Sequence, residues 1–132
     1  MKITADTNVL VRAIVGDNAQ QSKAAQTALK KADMVAVAIP ALCELVWVLS
    51  QGYKIPSGDI SEAIRRLING ANVVVNRPAA EAGLVLMHAG GDFADAAIAY
   101  EGNWLGAESF VSFDKKAVKL IEAQGGSAHL LI

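Results

Sequence analysis

The sequence predicts an α/β fold in which a mainly parallel sheet of about four to five strands is covered by helices. Short stretches such as MVAVAI and ANVVV are apolar throughout instead of alternating, as strands buried on both faces are. They alternate along the chain with longer segments of helical periodicity, the pattern of an α/β fold. Hydrophobic residues make up 53% of the chain and charged residues 19%, which calls for a large buried core. At 132 residues, one domain spanning positions 1–132 is expected.

Lys2 to Ala5 fits a first strand, with Asp6 at its carboxyl end and Thr7 or Asn8 as cap of a helix bearing Val9, Leu10, Ala13 and Ile14. Gly16-Asp17-Asn18 breaks that helix. Ala19 to Ala32 forms the next, with Ala24, Ala25, Ala28 and Leu29 as its apolar stripe. Met34 to Ile39 reads as a buried strand, and Pro40 suits the first turn of a helix that runs to about Gln51 and stops at Gly52. Ser57 to Asn69 is helical, with Asp59 and Glu62 at capping-box spacing and Gly70 at the end. Ala71 to Val75 is a strand, Pro78 to Ala89 a helix closed by Gly90-Gly91, and Asp92 opens a helix reaching about Leu105. Ser109 to Phe113 is a strand, Lys115 to Gln124 a helix, and His129 to Ile132 a last short strand.

Composition removes several classes of function. A net charge of −1 gives no global basic signal for nucleic acid, so any such role has to be argued locally. The single Cys43 forms no internal disulfide, and no Cys/His grouping has zinc spacing. Asp6 and Arg12 interrupt the apolar core that a signal peptide needs, and the apolar run from Ile39 to Leu49 contains Glu44 and is too short to span a bilayer. A soluble cytoplasmic protein with no membrane partner is expected.

The acidic residues carry the chemistry. Asp6 and Asp114 each end a strand, so in a parallel sheet they share one edge, where function collects in such folds. Each also fits the plainer role of helix cap. Glu44 lies among apolar neighbours in Leu42-Cys43-Glu44-Leu45-Val46-Trp47, where a buried carboxylate needs a partner; a place on a solvent-facing stripe is the alternative. Asp92 and Asp95 stand three apart at a helix start, on one face near the positive end of the helix dipole, or form a purely structural cap. A carboxylate cluster without His or Cys suits Mg²⁺ or Mn²⁺, and such ions activate water against phosphodiesters.

These segments resemble the PIN-domain family, and within it the VapC-type toxins, over essentially the whole chain. Ala5-Asp6-Thr7-Asn8-Val9-Leu10 is similar to the opening D-T-N-x-L motif, and Pro40 to Leu45 to the helix bearing the family glutamate. Asp92 to Ala99 is similar to D-F-x-D-A-x-I-A, and Val111 to Lys116 to the closing T-x-D segment, with Ser112 in place of the usual Thr. The resemblance implies a three-layer α/β/α fold and a metal-dependent endoribonuclease. Its metal-site acids would be Asp6, Glu44, Asp95 and Asp114, with Asp92 auxiliary. Thr7, Asn8 and Ser112 would orient them. It also implies a homodimer and a cognate VapB-type antitoxin, with operator DNA bound only through that antitoxin. Arg12, Lys115, Lys116 and Lys119 are candidates for RNA phosphates, each with a solvated helix face as its alternative.

Trp47 is expected in the core or at a dimer interface, Trp104 packed at a helix end, and Cys43 buried as a small hydrophobe. His88 and His129 lack partners at ligand spacing. An aspartyl phosphatase is disfavoured because Asn8 stands where a second Asp belongs, and a phospho-receiver because ANVVV is followed by Asn76. A non-catalytic PIN-like module that binds a partner or DNA is the competing reading.

Overall fold

The structure, a computed structural model, describes residues 1–132, and its contacts divide the chain into two compact units, Met1–Asn76 and Arg77–Ile132. The fold class is α/β: seven α-helices and five strands alternate, and every strand pairing is parallel.

In the first unit, β1 (Lys2–Thr4), β2 (Met34–Val37) and β3 (Val73–Val75) form one sheet in the order β1-β2-β3, with Ile3 opposite Val35 and Val35 opposite Val73. Helices α1 (Thr7–Ile14), α2 (Ala19–Lys31), α3 (Ile39–Trp47) and α4 (Ser57–Ile68) belong to the same unit. Leu10, Val35, Leu42, Leu45, Leu49, Ile60, Ile64 and Ile68 are fully buried. These apolar positions recur three or four apart within each helix, so each helix presents one stripe to the core.

Several local expectations change. Asp6, not Thr7 or Asn8, occupies the cap position of α1, because the extended backbone ends only at residue 6. The buried side of α2 is Ser22 and Ala25, with Leu29 half-buried and Ala24 and Ala28 exposed. Ser22 tolerates burial because its hydroxyl donates to the carbonyls of Arg12 (2.7 Å) and Val15 (2.8 Å), which the end of α1 leaves unpaired. Asn18 caps α2 through the Gln21 amide at 3.0 Å, and Asn72 serves its other end by donating to the Leu29 and Ala32 carbonyls.

Strand β2 stops at Val37 because helix begins at Ile39, with Pro40 in a first turn that has no use for its missing N–H. The capping box at Asp59 and Glu62 does not form. Pro56 holds the cap position and offers no side-chain acceptor, and Glu62 pairs forward with Arg66 at 2.7 Å. After α3 the helix widens into a π-helical segment, Val48–Gly52, and Lys54 follows at φ 56°.

The second unit holds α5 (Arg77–His88), α6 (Phe93–Trp104), β4 (Phe110–Ser112), α7 (Lys115–Ala123) and β5 (Ala128–Leu130), with β4 and β5 paired in parallel. Leu86, Ala96 and Ile121 form a core cluster joined by Ala82, Ala99, Phe110, Leu120 and Ala128. Helices α5 and α6 meet where Gly83 faces the ring of Phe93, which is wholly buried; a Cβ at position 83 would lie 2.4 Å from Phe93 Cε2. Only a residue without a side chain admits that ring.

No helix is long and apolar enough to cross a membrane. Trp47 and Trp104 are 66% and 78% exposed, which removes Trp47 from the core and leaves Trp104 unpacked at the end of α6. Cys43 is half-buried, less than expected, since it sits beside the outward-facing Glu44 stripe of α3.

Candidate acidic site

Strand pairing carries Asp6 to its position. The Ala5 amide donates to the Ala36 carbonyl at 3.1 Å, prolonging β1 by one residue, and the chain turns into α1 immediately after. The Asp6 carbonyl accepts from the amides of Val9 (3.0 Å) and Leu10 (3.3 Å), yet its carboxylate makes no capping bond. A cap by backbone alone leaves an exposed carboxylate at the strand end, so the plain capping role does not account for this side chain. Thr7 is buried and Asn8 exposed at the start of α1.

Glu44 is on α3 between buried Leu42 and the buried pair Leu45-Val46, but it points outward and is exposed, as is Trp47 one turn on. Of the two readings open for Glu44, the solvent-facing one holds and the buried one does not. Mostly apolar sequence neighbours do not fix which way one position on a helix faces. The outward stripe of α3 is the face that carries the carboxylate.

In the second unit three aspartates converge electrostatically. Asp92 caps α6, its Oδ1 accepting from the Ala94 amide at 3.0 Å. Asp114 caps α7 in the same manner, with Oδ1 accepting from the amides of Lys116 (3.0 Å) and Ala117 (3.1 Å). Its own amide donates to Ser112 Oγ at 2.9 Å, so the hydroxyl anticipated at position 112 fixes the turn that presents Asp114. Asp95 sits in the first turn of α6 and is half-buried. Burial, and then the neighbouring charges of Asp92 and Asp114, push its carboxyl above the usual carboxylate range.

The capping and functional readings are thus compatible at Asp92 and Asp114, since each cap bond uses one oxygen of two. Oxygen-only donors and mutually repelling carboxylates fit a hard divalent cation in chemistry and charge. No three His, Cys, Asp or Glu side chains are already grouped closely enough to hold a metal ion.

Of the basic candidates, Lys115, Lys116 and Lys119 are exposed on α7, the first two in the turn that follows Asp114. Arg12 is committed elsewhere: its Nη1 donates to Asp17 Oδ1 at 2.9 Å and to the Tyr53 hydroxyl at 3.5 Å, while that hydroxyl donates to Asp17 Oδ2 at 2.9 Å. The Tyr53 bond, and to a lesser extent Arg12, holds the Asp17 carboxyl below its usual value, and the same bond raises the Tyr53 phenol. Tyr53 and Asp17 were invisible as partners in the sequence, which gives no signal linking positions so far apart. His88 and His129 are exposed.

A groove of about 730 Å³ in the second unit is lined by Val85, Ile98, Tyr100, Asn103, Phe110 and Val111 among others, and by none of the three aspartates. The three aspartates thus lie outside that groove.

A search of curated proteins returns no match to the chain. The family model described as PIN domain matches residues 3–122, from within β1 to the last turn of α7, and on that match the chain belongs to the PIN-domain family.

Proposed function

We propose that the chain is a metal-dependent endoribonuclease acting as the toxin of a VapBC-type pair. PIN domains are commonly nucleases and generally use divalent metal ions, so family membership supports a nuclease-type enzyme at the coarse level. The observation that supports the finer reading is half-buried Asp95 beside Asp92 and Asp114, its carboxyl pushed up first by burial and then by their charges. Such an arrangement costs stability unless a cation offsets it, and proteins retain it where the charge is used.

In this reading residues 1–132 act as one PIN domain, and Asp6, Glu44, Asp95 and Asp114 are its metal-site acids for Mg²⁺ or Mn²⁺, with Asp92 auxiliary. When bound, the cation supplies a water of lowered pKa and charge stabilisation at the cleaved phosphodiester. The protein's part is positional. Ser112 sets the Asp114 turn, the start of α6 presents Asp92 and Asp95, and backbone capping frees the Asp6 carboxylate. Lys115, Lys116 and Lys119 lie on α7 after Asp114, where they can neutralise RNA phosphates.

Exposed apolar side chains at Trp47, Ile98, Trp104, Leu105 and Phe113 support association with a second copy and with a VapB-type antitoxin. Operator DNA would be bound through that antitoxin, and the working compartment would be the cytoplasm.

The test is cleavage of a panel of structured and single-stranded RNAs by purified protein with Mg²⁺ or Mn²⁺, with EDTA, and with Asp6→Asn. Metal-dependent cuts that vanish in a folded Asp6→Asn protein are expected. Full activity in that variant would sink the site assignment. No cleavage of any RNA, with no binding of Mn²⁺, would favour the non-catalytic binding module.

A further inference from the structure

In the first unit Asp6 holds the cap position of α1, α3 carries Glu44, and the two helices pack against each other. They are also tied at a second place, away from those acids. Arg12 in the last turn of α1, Asp17 in the loop after it, and Tyr53 at the end of the π-helical extension of α3 form a closed hydrogen-bonded cluster. Both oxygens of Asp17 are engaged, one by the guanidinium and one by the phenol.

Each side of this tie is itself held. Ser22 fixes the Arg12 end through the Arg12 and Val15 carbonyls. On the other side Tyr53 closes the π-helical segment Val48–Gly52 and precedes a left-handed Lys54, two uncommon backbone forms. Conformations of this kind persist where the surroundings over-determine them, and they gather at functional sites. A lone surface ion pair contributes little. A three-membered cluster with a planar guanidinium and a rigid phenol contributes direction, because its geometry admits few arrangements of the two helices.

We infer that the Arg12–Asp17–Tyr53 cluster is a positioning device for the acidic site, setting the placement of α1 against α3 and so that of Asp6 relative to Glu44. The inference rests on the reading that these two acids hold the divalent cation. Tyr53 is then a positioning residue that acts through the helices, and its loss loosens the cation without removing a ligand.

The experiment is calorimetric titration of Mn²⁺ into the full chain, wild type and four variants, with circular dichroism to establish that each is folded. Tyr53→Phe removes the phenolic hydroxyl alone, and Asp17→Ala breaks the same cluster should the first variant fold poorly. Ile64→Val trims a buried side chain of α4 outside the cluster and serves as a control for general loss of stability. Asp6→Asn tests the site itself.

The expected result is loss of binding in Asp6→Asn, weakening on the order of 3- to 10-fold in Tyr53→Phe and Asp17→Ala, at or below what removal of an immediate ligand partner brings, and wild-type affinity in Ile64→Val. If wild type binds no Mn²⁺, or Asp6→Asn binds as well as wild type, the site reading fails and takes this inference with it. If Asp6→Asn loses the cation while Tyr53→Phe and Asp17→Ala bind like wild type, the inference alone is overturned. Equal weakening in Ile64→Val overturns it as well, since the effect is then one of stability.

Discussion

Asp95 is the residue whose environment most constrains its chemistry. Its carboxyl is raised in the folded chain, first by burial and then by Asp92 and Asp114, so folding favours the protonated form. The ionised form therefore costs stability. That cost is absent below the ordinary carboxyl value of 3.8 and is complete above the raised value. Asp95→Asn should accordingly stabilise the metal-free protein at pH 7, and the gain should fade as the pH falls through the carboxylate range; melting curves across pH in EDTA check this. A neighbouring test concerns Ser112, whose hydroxyl accepts the Asp114 amide. Ser112→Thr keeps the acceptor and should be tolerated, whereas Ser112→Ala should cost about 1 kcal/mol in urea denaturation and lower cleavage by displacing Asp114.

At the scale of elements, the α5–α6 packing places the acids at the start of α6. Position 83 admits only glycine because the Phe93 ring fills the space a Cβ needs, and Phe93 is the first residue of the helix that Asp92 caps. Gly83→Ala gains about 1 kcal/mol in helix propensity, but overpacking against a ring that is wholly buried costs about 1–3 kcal/mol. The net expectation is destabilisation, seen as a lower urea midpoint, with loss of activity because the shifted ring moves Asp92 and Asp95. Asn18→Ala should cost about 1 kcal/mol through the lost cap of α2 while leaving cleavage intact. The two variants together separate elements that carry the site from elements that only stabilise it.

The elements were legible in the sequence to within a few residues because their signals are local. Asn18, Gly52, Gly70 and Gly90-Gly91 mark ends that the backbone respects, and Asp92 opens α6 as its spacing foretold. The departures arise where a choice depends on what a residue meets after folding. The capping box of Asp59 and Glu62 fails because α4 already starts at Ser57, which leaves Asp59 inside the first turn, while Glu62 pairs with Arg66 one turn ahead. The apolar stripe of α2 was misread because alanine fits both exposed and buried faces, and because Ser22 was buried by carbonyls it could satisfy.

For the whole molecule, the proposed cation should act as a ligand of the folded state. Mn²⁺ at about 100 times its dissociation constant should raise stability by about 2.7 kcal/mol. EDTA should reverse the gain, and Asp6→Asn should abolish it; thermal melts with and without the ion decide. A gain that survives in Asp6→Asn would mean that the ion binds elsewhere.

By itself the sequence determined the α/β class, the order of the elements and the identity of the acids at strand ends and helix starts. Apolar runs, turn residues and caps act over a few positions, and so do the four motifs that resemble the PIN-domain family. Only the tertiary structure decided that Glu44 faces outward, that the Asp6 carboxylate is spared from capping, that Asp92 and Asp114 raise Asp95, and that Arg12 is held by Asp17 and Tyr53. The physical reason is common to all four. Exposure, electrostatic coupling and hydrogen-bond choice depend on which groups meet in space, and that is decided only once the helices have packed.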